Sequence, residues 1–145
     1  AVQYIGPKEV EWEKREITVE AKLENQPSLT QFVEETLEPL GGSMKSQMQI
    51  DVAIDEIFSN IVKFSGASDV TLTVETCKSH LMARLSFIDG GSPYDPTSAA
   101  EPDVTLSAEE RSIGGLGLFI VKKTMDDVAY RRDGDRNILT ITKKL

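Results

Sequence analysis

The chain has 145 residues, 39% of them hydrophobic and 28% charged, with a net charge of −8. This length closes one domain with a real core, and the acidity excludes a general nucleic-acid binder, because phosphate backbones are held by clustered Lys and Arg. One Cys (Cys77) and one His (His80) exclude a disulfide framework and a His/Cys metal site, no window approaches a membrane span of about 18 apolar residues, and the charged opening "AVQYIGPKEVEWEKRE" is unlike a signal peptide, so a reducing, cytoplasmic setting is expected.

In chain order, "REITVEAKL" places Ile17, Val19, Ala21 and Leu23 on one face and predicts a strand. "PSLTQFVEETLEPLGG" carries Leu29, Phe32, Val33, Leu37 and Leu40 at helical spacing, with Pro27 and Ser28 at its start and Gly41-Gly42 at its end. A second helix is expected from about Ser43 to Phe64, burying Ile50, Ile54, Ile57, Phe58 and Ile61. "VTLTVETC" and "HLMARLSFID" alternate and read as a hairpin around "KSHL". His80 falls in that turn as a solvated residue, and Cys77 is an ordinary strand residue. From Gly90 to Ile113 no period is visible, and a loop that long inside a small domain is functional or disordered. The helix "GLFIVKKTMDD" follows, and "VAYRRDGDRNILTITKKL" closes the chain as two strands around Asp133-Gly134. Consecutive strand pairs with three helices give an α+β fold: a two-layer sandwich, a mixed, mostly antiparallel sheet with the helices on one face. Residues 1–145 read as one domain, with 1–15 as an N-terminal arm in which Trp12 is a packing anchor.

Three stretches carry chemistry. In "DEIFSN", Glu56 and Asn60 are four apart and stack on one helix face, off the centre of the buried stripe. A carboxylate there can orient or deprotonate a nucleophile, and an amide oxygen can bind Mg²⁺; the same pattern also suits a solvated helix face. In "IDGGSPYDP", Asp89 ends an apolar strand, where it can accept a hydrogen bond from an exocyclic amine such as that of adenine. Gly90 and Gly91 let a flat ring come close, though Asp-Gly is equally an ordinary turn. In "RSIGGLGLFIVKK", Gly114, Gly115 and Gly117 precede an apolar helix, each costing roughly 1 kcal/mol if helical. Free N–H groups at a helix N-terminus suit an anion, as they also suit a simple cap. The stretch lacks both the Lys-Ser/Thr ending of a Walker loop and the full dinucleotide fingerprint.

In this order the three stretches resemble the ATP-binding (GHKL, Bergerat) fold shared by DNA gyrase, histidine kinases and MutL. "AIDEIFSNIVKFSG" is similar to its N-box, "IDGGSPYDP" to its first glycine box, and "RSIGGLGLFIVKKTMDDVAYRR" to its second. The wording "DGGSPYDP" and "GGLGLFIVK" most resembles the bacterial anti-sigma factor serine kinases, over roughly Glu16 to Leu145. The resemblance implies an ATP- and Mg²⁺-dependent serine/threonine kinase. Such a protein phosphorylates an anti-anti-sigma (STAS-type) antagonist, sequesters a sigma factor in a partner switch, and forms homodimers. It implies Glu56 as general base and Asn60 as Mg²⁺ ligand. It further implies Asp89 as the adenine acceptor with Thr140 assisting, and Gly91 as room for the ring. Gly115, Leu116 and Gly117 would face the phosphates, with Gly114 as hinge, residues 92–113 as ATP lid and Arg111 reaching a phosphate or the partner. "IVKFSG" departs from the usual N-box ending; Lys63, one turn past Asn60, is a phosphate contact or a surface lysine. A nucleotide-binding interaction module without phosphotransfer is the alternative, and an interaction domain without nucleotide the third reading.

Overall fold

Alternation of apolar and polar residues sets the sheet. In a computed structural model that describes residues 11–98 and 115–145, five strands lie in the order β1-β2-β3-β5-β4 and every neighbouring pair is antiparallel. They are β1 (Glu13–Glu20), β2 (Asp69–Cys77), β3 (Met82–Asp89), β4 (Asp127–Asp133) and β5 (Arg136–Lys144). No parallel pair occurs among the described strands, so the sheet expected as mixed is fully antiparallel. β1 begins inside the stretch expected to be a free arm, because Glu13, Lys14 and Arg15 pair with Thr76, Glu75 and Val74.

One face of the sheet carries Val70, Leu72, Val74, Ala83, Leu85, Phe87, Leu139 and Ile141, all buried. Against them pack α1 (Gln26–Leu37), α2 (Met44–Phe64) and α3 (Gly115–Thr124). α1 buries Leu29, Val33 and Leu37, four residues apart, which is one stripe of a helix. A short 3₁₀ turn (Glu38–Leu40) closes it, and Gly41 takes the left-handed conformation at φ 68°. α2 is capped by Ser43, whose Oγ accepts from Ser46 N at 3.1 Å. Its buried stripe centres on Ile50, Ile54, Ile57, Phe58 and Ile61; truncating Phe58 to Ala is expected to cost about 3–5 kcal/mol.

α3 differs from expectation at both ends. It starts at Gly115, so Gly115 and Gly117 lie inside the helix, and it stops at Thr124. Met125 N makes the last helical bond to Val121 O at 2.9 Å. Asp126 then leaves the helix: its N–H donates to Thr142 O at 2.9 Å, and its carboxylate accepts from Lys144 N at 2.6 Å. Those two bonds begin β4.

The opposite face of the sheet meets no helix among the described residues and is lined by polar ladders. Thr18 and Thr71 share a hydrogen bond at 2.8 Å, and Arg84 holds Glu75 with two bonds of 3.1 Å. The Arg84 guanidinium lies 4.3 Å from the centre of the Trp12 ring, which ties the start of the described chain to this face.

Candidate functional site

α2, α3, β3, β4 and β5 converge on a narrow cleft. Ile57, Asn60 and Ile61 form one wall, Asp89, Asn137 and Leu139 the floor, and Leu118 and Tyr130 the far side; Tyr94 and Pro96 close the mouth. A water centre finds about 20 Å³ of room inside, roughly one water.

Asp89 ends β3, 4% exposed. Its Oδ1 accepts from Gly91 N at 2.9 Å and from Asn137 Nδ2 at 3.1 Å. Its Oδ2 accepts no hydrogen bond from the described residues. A buried carboxylate oxygen without a donor is costly, and it suits a ligand that brings an N–H.

Gly91 has a structural task beside the one expected. A Cβ there would stand 2.2 Å from Ser65 O and 2.7 Å from Ser65 C. Ser92 N also donates to Ser65 O at 2.8 Å. The glycine lets the loop press onto the main chain at the end of α2. This contact fixes the distance between the Asp89 corner and the helix that carries Glu56 and Asn60.

Thr140 does not assist Asp89. The β3–β5 register pairs Asp89 with Asn137 and Ser86 with Thr140. Being three residues from Asn137, Thr140 lies on the opposite face of the sheet, where its hydroxyl bonds Ser86 Oγ at 2.9 Å. Asn137 holds the place instead, and the sequence reading missed it. Its Oδ1 accepts from Tyr130 Oη at 2.6 Å, Arg132 Nη1 at 3.1 Å and Tyr94 N at 3.3 Å. Its Nδ2 donates to Asp89 Oδ1 and, at 2.8 Å, to Ser92 O. Arg132 reaches further, to Gly91 O at 2.8 Å. A signal existed: in "RNILTITKK", Asn137 shares the parity of Leu139 and Ile141, a polar residue on the core-facing side of a strand.

At the other end, Glu56 and Asn60 are brought together as expected. Asn60 Nδ2 donates to Glu56 Oε1 at 3.2 Å across one turn of α2. Asn60 is only 3% exposed, a wall of the cleft more than its rim. Burial pushes the Glu56 carboxyl above its ordinary range; the Asn60 bond and the Lys63 charge pull it back, and Asp55 adds to the rise. Burial and the Glu56 charge likewise push up the Tyr94 phenol, whose ring packs 5.7 Å from that of Phe64. Asn60 Oδ1 accepts nothing from the described residues. A buried amide oxygen left bare fits a hard, oxygen-seeking cation such as Mg²⁺, and Asn60 is the residue that would hold one. No group of three or more acidic, His or Cys side chains gathers as a metal site among the described residues.

Gly115 and Gly117 open α3, with Leu116 between them; Leu118, one residue on, faces the cleft. Arg111, Gly114 and the stretch 99–113 of the expected lid lie outside the described residues. Lys63 is exposed on α2. His80 is exposed in the turn between β2 and β3, as expected, with Nδ1 at 2.9 Å from Ser79 Oγ and 3.5 Å from the buried Cys77 sulfur. No described helix is long and apolar enough to cross a membrane.

The chain is similar in sequence and fold to known proteins. The model of the histidine kinase-like ATPase domain matches residues 19–143. Serine-protein kinase RsbW of Listeria monocytogenes is 34% identical over 109 residues, covering 69% of this chain and 68% of the relative. Serine/threonine-protein kinase BtrW of Bordetella bronchiseptica is 28% identical over 102 residues, 69% of this chain and 72% of the relative. The crystal structure of the RsbU and RsbW domains of Rv1364c from Mycobacterium tuberculosis shares the fold with a TM-score of 0.66 at 18% identity, over 92% of this chain and 32% of that longer one. With a family match that spans nearly the whole chain and both ends of the cleft, the protein belongs to the histidine kinase-like ATPase family and is related within it to the RsbW and BtrW serine kinases.

Proposed function

We propose that the protein is an ATP-dependent serine/threonine kinase that acts as an anti-sigma factor. It phosphorylates a STAS-type antagonist and, when that antagonist is phosphorylated, holds a sigma factor. The observation that carries the reading is that Asn60, which lines the cleft across from an Asp89 with one bare oxygen, is paired one helical turn back with Glu56. Adenine would seat on Asp89, and the phosphates would lie toward the start of α3, where free N–H groups favour anions. Glu56 would take the proton of the incoming Ser or Thr hydroxyl as that oxygen attacks the γ-phosphorus and ADP leaves. A carboxyl raised by burial is a better base near neutrality than an ordinary one. Mg²⁺, when bound, neutralises charge on the phosphates. The residues named do the positioning, which is most of what phosphoryl transfer asks of a protein. The names of the relatives support a serine or threonine as target, and the single Cys supports a reducing, cytoplasmic setting.

The test incubates the protein with γ-labelled ATP and a STAS-type antagonist. Label on an antagonist Ser or Thr is expected. ATP binding without label selects a nucleotide-dependent binding module, and no ATP binding at all removes both readings. Asp89→Asn places a donor where the amine would donate and is expected to weaken ATP by about ten- to a hundredfold, read by calorimetry.

A further inference from the structure

We infer that Asn137 is the positioning residue that makes the cleft select a 6-amino purine, by holding Asp89 so that Oδ2 alone is open to the base; this rests on the ATP reading above. A side-chain amide has two N–H donors and one acceptor oxygen, and all of them are engaged here. Both donors go to acceptors, Asp89 Oδ1 and Ser92 O. The oxygen takes Tyr130 Oη, Arg132 Nη1 and Tyr94 N. Turning the amide over would face oxygen to two oxygens and N–H groups to Arg132 and Tyr94 N, which can only donate. Asn137 is 4% exposed, so water does not readily replace those bonds. The amide thus has one orientation, and that orientation fixes Asp89.

With Oδ1 filled by Gly91 N and Asn137 Nδ2, Asp89 offers the cleft one bare acceptor. An exocyclic amine satisfies it. The carbonyl of a 6-oxo purine would face it with like partial charge, and a 6-unsubstituted purine would leave it unpaired. Rejection by an unpaired buried group is a stronger filter than pocket size. Asn137 touches no part of the base in this scheme, and its effect passes through Asp89.

The experiment titrates ATP and purine riboside triphosphate, which lacks the 6-amino group, into the wild-type chain, Asn137→Ala and Tyr130→Phe by calorimetry. Near-ultraviolet circular dichroism checks the fold of each. Wild type is expected to prefer ATP by about ten- to a hundredfold. Asn137→Ala is expected to bring the two nucleotides to near parity through loss of ATP affinity alone. Tyr130→Phe removes one of the bonds on the amide and is expected to lower the preference about threefold; it carries the test if Asn137→Ala does not fold. A parallel fall for both nucleotides, or an unchanged preference in the folded variants, overturns the role of Asn137. Equal affinities in the wild type overturn it too, while nucleotide binding stands. A wild type that binds neither nucleotide overturns the ATP reading itself.

Discussion

The two ends of the cleft are built on opposite plans. At the floor, Asn137 alone makes five hydrogen bonds and Gly91 locks onto Ser65 main chain. On the α2 wall, a single hydrogen bond joins Glu56 to Asn60, and Asn60 Oδ1 is bare. The floor comes from three strands and a loop, and its polar groups are nearly saturated, leaving one oxygen for a ligand. The wall comes from one continuous helix and keeps its polar groups open. Recognition of a rigid base is served by a fixed floor, whereas a general base and a metal ligand need bonding capacity left over for what they bind.

Gly91→Val tests whether the floor is as rigid as this contrast requires. Its side chain would overlap the Ser65 main chain, so a loss of about 3 kcal/mol of stability is expected, together with loss of ATP binding. A melting curve and a titration check it; a variant with normal stability would mean that the loop has slack. Glu56→Gln acts on the wall alone. Transfer to the antagonist is expected to fall by about 10²- to 10⁴-fold with ATP affinity retained, because Gln still accepts from Asn60. Its melting temperature at neutral pH should rise slightly. Burial raises the folded pKa of Glu56, so the stability linked to its protonated form is present at low pH and lost as pH rises through that pKa; a neutral Gln escapes the loss. A lower melting temperature would put the cause of the raised pKa in doubt.

Lys63→Gln gives the smallest change. Lys63 pulls the Glu56 pKa down, so its removal should move the acid limb of the transfer rate to higher pH. A limb that stays in place, or moves down, would detach Lys63 from Glu56.

The helices and hairpins were legible because their signals are local. Ile50, Ile54, Ile57 and Ile61 repeat within one element, and so does the Glu56–Asn60 spacing. The resemblance of three motifs supplied their joint meaning. The floor was not legible, because it depends on register: nothing within "RNILTITKK" says that Asn137 lies opposite Asp89, and the residue assisting Asp89 was sought at Thr140, on the wrong parity. At Gly91 the contact with Ser65 was not readable, since Ser65 is distant in sequence and meets it only when α2 docks. The start of α3 was misplaced because glycines mark a boundary without saying which of them is helical.

Under the ATP reading, a cleft with room for about one water would set the tempo of nucleotide arrival. If Tyr94 must first swing aside, the encounter is limited by an internal opening, and the observed association rate levels off as nucleotide concentration rises. Stopped-flow mixing with a fluorescent ATP analogue would show a plateau, and the height of that plateau is the frequency with which the unliganded protein opens by itself.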